Sequence, residues 1–188
     1  MDLEATAWDN EAPPDGQVSE IIEIGWALIE NELIVDRGTQ LVLPVTSTVS
    51  PFCTQLTSIT QELLNEQGVP LADAVALIKA DLDVDDLTRL PWASWGGYDD
   101  KMLARSGVKM GRHLNLSTMF VYLFNKSRSF GLAKACATLD IPWAGTAHRG
   151  GDDAYMAALV ALRMRSLMLP ELARQVETLS ATLRRMTP

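Results

Sequence analysis

The stretch EIIEIGWALIENELIVDRGTQLVLPV, residues 20–45, constrains the fold of this chain more than any other. Its two runs, Ile21–Ile29 and Leu33–Val45, are dense in β-branched and aromatic residues, which suit a pleated and largely buried surface. The polar Glu30-Asn31-Glu32 between them suits a tight turn, so the two runs predict an antiparallel hairpin. Beyond Val45 the apolar spacing becomes helical. SITQELLNEQG (58–68) reads as a short helix ended by Gly68, and Leu71, Val75, Ile78 and Leu82 fall at helical spacing over 70–82. Residues 87–95 predict a strand running into the Gly96-Gly97 turn, and DDKMLARSG starts another helix. Further helices are predicted at 116–125, 131–139 and 152–167, while 9–19 reads as a polar Pro/Gly loop. A hairpin followed by alternating helices and strands is an α/β pattern.

The chain's 188 residues fit a single domain, and no repeat, low-complexity tract or linker divides it. Pro170 stands at a first-turn position, and Leu172, Val176, Leu179 and Leu183 form one stripe behind it. The span 170–188 is therefore predicted to be a C-terminal helix packed on the same domain, with homodimerisation as the alternative use of the stripe.

Composition narrows the function classes. A chain 47% hydrophobic and 21% charged is globular rather than disordered. It has no run of about 18 apolar residues to span a membrane, and no basic region with an apolar stretch to act as a signal peptide. Cys53 and Cys136 stand far apart with no Cys/His spacing around them, which disfavours zinc and suits reduced thiols in a cytoplasm. A net charge of −8 argues against coating long duplexes through counterion release. It leaves room for an enzyme that meets nucleic acid at a metal-filled cleft, where cations supply positive charge locally.

Acids draw attention at three places. In MDLEATAWD, Asp2 and Glu4 sit two apart, so a strand would place both on one face. Unpaired carboxylates side by side repel, and a divalent cation relieves them; the competing account is a solvated acidic terminus. In SWGGYDDKML (94–103), Asp99 and Asp100 open a helix after a predicted strand, where capping alone explains an acid. In GTAHRGGDDAYMAAL (145–159), capping again accounts for Asp152 and Asp153 but not for His148, one of only two histidines in the chain.

Taken in order, D-x-E, then D, then H-x4-D resembles the DEDDh 3′–5′ exonucleases, most closely the Eri1/KapD-like branch that acts mainly on RNA. DLEATAWD, SWGGYDDKML and HRGGDDA resemble that branch's three motifs. FCTQLTSITQELL (52–64) and NLSTMFVYLFNKSRSFGLAKACATLDIP (115–142) are similar to the segments between them. Three positions depart from the pattern: a single residue precedes Asp2, Ser58 replaces the usual Gly, and Met156 stands where Asn is common. The resemblance implies an RNase H-like fold, a mixed five-stranded sheet with three antiparallel strands flanked by α-helices. It implies two Mg²⁺ or Mn²⁺ ions held by Asp2, Glu4, Asp99 and Asp153, with His148 as general base. Asp99 rather than Asp100 matches the family's aromatic-D-x-x-apolar-Leu pattern. Thr6 would lend its backbone N–H to the 3′-terminal sugar, and Trp8 and Tyr98 would stack on the terminal base. The expected partner is RNA, or single-stranded nucleic acid, with a free 3′ end. Two other readings stay open: a DNA-directed proofreading or repair nuclease of the same superfamily, and a non-catalytic binding module that keeps the fold.

Overall fold

The computed structural model describes residues 1–9, 12–127 and 131–186; beyond Met168 it describes the backbone path, and the side chain of Pro170 alone. Strands β1 (Asp2–Ala5), β2 (Ile21–Glu30) and β3 (Leu33–Leu41) form an antiparallel ladder with β2 in the middle. β4 (Trp92–Ser94) and β5 (His113–Asn115) form a parallel pair. The ladders meet at β1, where Met1 N donates to Ala93 O at 2.7 Å. Around them lie α1 (Pro51–Thr57), α2 (Gln61–Gln67), α3 (Leu71–Asp81), α4 (Tyr98–Arg105), α5 (Leu116–Leu123), α6 (Leu132–Thr138) and α7 (Gly150–Met186). The predicted hairpin is present, and so are the five strands.

β2 is buried from Ile21 to Trp26, covered on both faces as its near-continuous apolar run requires. Ile24 and Trp26 pack with Leu3, Ile78, Trp92 and Leu103, and Ile22 packs with Leu41, Cys53, Ile59 and Leu64. A third cluster joins α5, α6 and α7 through Phe120, Cys136, Met156 and Val160. Met156, one of the departures from the family pattern, is fully buried there and fills core volume.

Four elements differ from the sequence-based expectation. β3 ends at Leu41 rather than Val45, because the chain changes partner: Leu43 N donates to Val69 O, Pro44 has no N–H, and the N–H groups of Val45, Thr46 and Ser47 go to the Glu20 carboxylate. The single helix expected over 58–68 begins only at Gln61, capped by Thr60, and a separate α1 precedes it, capped by Ser50 with Pro51 in its first turn. Ser58 takes φ 62° between the two, which accounts for the family's Gly at this place. Residues 87–95 hold a 3₁₀ turn (Leu87–Arg89) and the three-residue β4, and the fifth expected strand, β5, falls at 113–115, where no sequence pattern marks it. Finally, 152–167 and 170–186 are one helix, with Pro170 inside it. Proline removes one intrahelical donor and crowds the carbonyl four residues back, but it does not oblige a helix to stop. The stripe of Leu172, Val176, Leu179 and Leu183 lies outside the described side chains. Among the described residues no helix is long and apolar enough to cross a membrane.

Candidate active site

β1 delivers the first two acids. Its alternation turns Leu3 into the core and brings Asp2 and Glu4 out together, opposite Gly25 and Glu23 on β2. Asp99 comes from the first turn of α4, directly after β4, and is buried; its Oδ1 accepts the Leu3 N–H at 3.1 Å, which ties the second motif to the first. Ser94 also hydrogen-bonds Asp99 and lies 2.9 Å from His113 Nε2, so β4 and β5 together hold this acid. Asp100 is half-buried and instead borders a groove with Thr88, Leu103 and Val108. The register thus turns Asp99, and not Asp100, toward β1.

The start of α7 delivers the rest. Asp153 is buried in the first turn, its Oδ2 accepting the His148 N–H at 3.0 Å, while its Oδ1 is buried without a hydrogen-bond partner. Asp152 faces the other way and accepts the Thr146 N–H at 2.8 Å, bracing the loop ahead of the helix. His148 has φ 60°, a left-handed conformation costly for a side-chain-bearing residue, and its ring is exposed. One ligand atom each from Glu4, His148 and Asp153 all lie within 4.8 Å of one another.

The electrostatics show that the four acids share one space. Burial pushes Asp2 well above the usual carboxylate range, and the charges of Asp99, Asp153 and Glu4 push it further. Burial, then Asp153, Glu23 and Asp99, raise Glu4 to about 8. Asp99 and Asp153 are also raised, burial being the main cause; hydrogen bonds from Ser94 and Leu3 oppose it at Asp99, and His148 opposes it at Asp153. The Met1 ammonium and Arg149 offset this negative charge only in part. Carboxylate oxygens, one of them orphaned and buried, are hard donors that match Mg²⁺ or Mn²⁺ and offer no thiolate for a softer metal.

The flanking positions fare differently. Trp8 is half-exposed just past β1, and Tyr98 is 54% exposed, its hydroxyl 3.3 Å from Ser19 Oγ. Thr6 is buried, and its N–H already donates to Glu20 O at 2.8 Å while its hydroxyl bridges Val18 O and Glu20 N. That N–H is thus engaged by the Val18–Glu20 loop in this structure. Sequence reasoning passed over Glu23 and Arg149, an ion pair beside the acids in which Glu23 is fully buried and Arg149 partly exposed. The available signal was an acid standing alone inside the apolar IIEIG.

The strands and helices are arranged in the RNase H-like fold, as in solved nuclease domains. Residues 1–161 match the RNase T family, described as Exonuclease, and the chain belongs to that family. It is 28% identical to the Drosophila melanogaster 3′–5′ exonuclease Snipper over 181 residues, covering 82% of this chain. The chain spans 64% of the length of that curated relative. Among solved structures, the nuclease domain of 3′hExo bound to rAMP matches with a TM-score of 0.72 and 23% identity, over 88% of this chain and 89% of that one. S. pombe Pop2p in its Mg²⁺- and Mn²⁺-bound form matches with a TM-score of 0.59 and 16% identity, over 88% of this chain and 82% of that one.

Proposed function

We propose that this chain is a divalent-metal-dependent 3′–5′ exonuclease that removes nucleotides from the free 3′ end of RNA or other single-stranded nucleic acid. The observation that carries the reading is the buried acid cluster: burial and the charges of Asp99 and Asp153 raise the pKa of both Asp2 and Glu4, and His148 lies within reach of Glu4 and Asp153. Family membership and the named activity of Snipper support the direction of attack, and 3′hExo bound to rAMP supports a ribonucleotide end.

On this reading, Asp2, Glu4, Asp99 and Asp153 would hold two Mg²⁺ or Mn²⁺ ions, which would supply a more acidic water and offset charge on the scissile phosphate. His148 takes the proton of the attacking water as its oxygen bonds to phosphorus; the bond from phosphorus to the 3′ oxygen breaks, that oxygen takes a proton from solvent water to become the 3′-hydroxyl of the shortened strand, and the terminal nucleotide leaves as a 5′-monophosphate. Its position suits this: an exposed ring beside the buried Asp153, anchored through the backbone. Tyr98 and Trp8 flank the cluster with free aromatic surface for the terminal base. Free, buried Cys53 and Cys136 suit a reducing cytoplasm.

The test compares 5′-labelled RNA and DNA oligomers side by side, in EDTA and with Mg²⁺ or Mn²⁺ restored. The expected result is a descending ladder with metal, none in chelator, and resistance of a 3′-blocked strand. Full activity in excess chelator, or cutting of a circular strand, would overturn it.

A further inference from the structure

We infer that Glu23 is a positioning residue, a buried latch that docks the His148–Asp153 end of α7 onto the middle strand of the sheet; this rests on the nuclease reading. Glu23 has no solvent exposure at all. A carboxylate in that position is tolerated only when fully hydrogen-bonded and charge-compensated. Its Oε1 accepts from Thr39 Oγ1 at 2.8 Å and from Arg149 Nη2 at 2.9 Å; its Oε2 accepts from the Gly150 N–H at 2.7 Å and from Arg149 Nε at 3.3 Å. Three of these four bonds come from the two residues directly after His148. The Gly150 N–H belongs to the first helical turn, where no intrahelical acceptor exists, so a side chain 127 residues away caps α7.

The backbones around the latch leave no room for anything else. A Cβ on Gly25 would come within 1.8 Å of Gly150 C, and one on Gly151 within 3.1 Å of the Thr39 Cβ. The helix end thus lies directly on β2 and β3. The same short segment fixes both functional groups of the third motif: Arg149 O accepts the Asp153 N–H at 2.9 Å, and His148 N donates to the Asp153 carboxylate. His148 keeps its left-handed backbone between these two anchors. Freed of Glu23, Arg149 and Gly150 lose their acceptor, and His148 and Asp153 lose their fixed distance to Glu4, which sits directly opposite Glu23 in the ladder. A misplacement of about 1 Å at such a site lowers turnover by up to about 100-fold.

α7 meets the hairpin through a second ion pair, Arg165 with Glu32 at 2.9 Å, but both side chains are more than half exposed. It provides a control of the same chemistry without the burial.

The experiment compares E23Q, R149M, R149K and E32Q with the parent on a 3′-ended RNA oligomer in saturating Mg²⁺, together with amide hydrogen exchange across residues 148–153. Expected for E23Q and R149M is a 10- to 100-fold fall in kcat per folded molecule, with KM within a few-fold and faster exchange confined to the start of α7. R149K, which keeps the charge, should retain most of the turnover, and E32Q should match the parent. A purely structural role predicts lower thermal stability with kcat per folded molecule within two-fold and unchanged exchange at 148–153; that result overturns the latch. Should E23Q fail to fold, R149M decides by the same two readouts. If the parent itself does not degrade RNA, the nuclease reading falls, and the exchange measurement alone decides whether Glu23 holds this helix end.

Discussion

Glu4 and Glu23 face each other across the β1–β2 ladder, one nearly buried and the other wholly so, yet the chain treats them in opposite ways. Glu23 receives a guanidinium, a helix N–H and a hydroxyl. Glu4 meets burial and the charges of Asp153, Glu23 and Asp99, with Arg149 as the opposing countercharge, and its pKa climbs to about 8. A buried acid that serves architecture is compensated from within. Acids left uncompensated at similar burial are waiting for charge from outside, and for a cluster of oxygen donors that means a divalent cation. The contrast separates two kinds of buried charge that a bare count of acidic residues would merge.

The largest effect should come from acids on the uncompensated side. Asp2→Asn and Asp99→Asn should lower kcat by orders of magnitude, while Asp100→Asn should stay within a few-fold, because Asp100 borders a different groove. Single-turnover rates on labelled RNA check this. An inert Asp99 with a critical Asp100 would shift the second motif by one residue and undo the contrast.

Next in size is His148. A general base is worth roughly 10²- to 10⁴-fold, so His148→Ala should lose that much turnover. Metal affinity, measured by Mn²⁺ titration, should change little if the carboxylates do the holding. A near-native kcat on folded protein would remove His148 from the chemistry. A collapse of Mn²⁺ affinity would instead make it a ligand, in keeping with its closeness to Glu4 and Asp153.

The two glutamates also show what was legible in advance. The hairpin follows from local pattern, and the acids of the cluster follow from spacing within short motifs: Asp2 and Glu4 through strand alternation, and Asp153 through a helix start. The pairing of Glu23 with Arg149 is not local. It spans 126 residues and depends on Gly25 and Gly150 letting two backbones touch, which no window of sequence displays. The setting of Thr6 is non-local in the same way: the Val18–Glu20 loop folds back on its N–H. β5 is too short for periodicity to register, and Pro170 reads as a helix start whether or not a helix already runs through it. By contrast α1 carried a readable signal, Ser50 followed by Pro51, a cap and a first-turn proline in sequence.

The smallest expected effect is thermodynamic and tests the contrast without any substrate. In the unfolded chain Glu4 ionises near its ordinary value of 4.5, whereas in the fold it holds its proton until about 8. Between those values the native state binds more protons than the unfolded state, so stability must fall as pH rises through that window. Asp2, Asp99 and Asp153 are displaced in the same direction and add to the slope. Metal-free protein in EDTA should therefore show a Tm that declines from about pH 5 to about pH 8.5. Saturating Mg²⁺ binds the ionised cluster and should flatten that decline, raising Tm most at the alkaline end. For a domain of this size each kcal/mol moves Tm by only about 2–4 °C, so scanning calorimetry over closely spaced pH values is the measurement. Glu4→Gln should flatten the metal-free slope as well. A Tm in EDTA that rises across the window, or a slope indifferent to Mg²⁺, would mean that the four acids are already compensated from within, as Glu23 is.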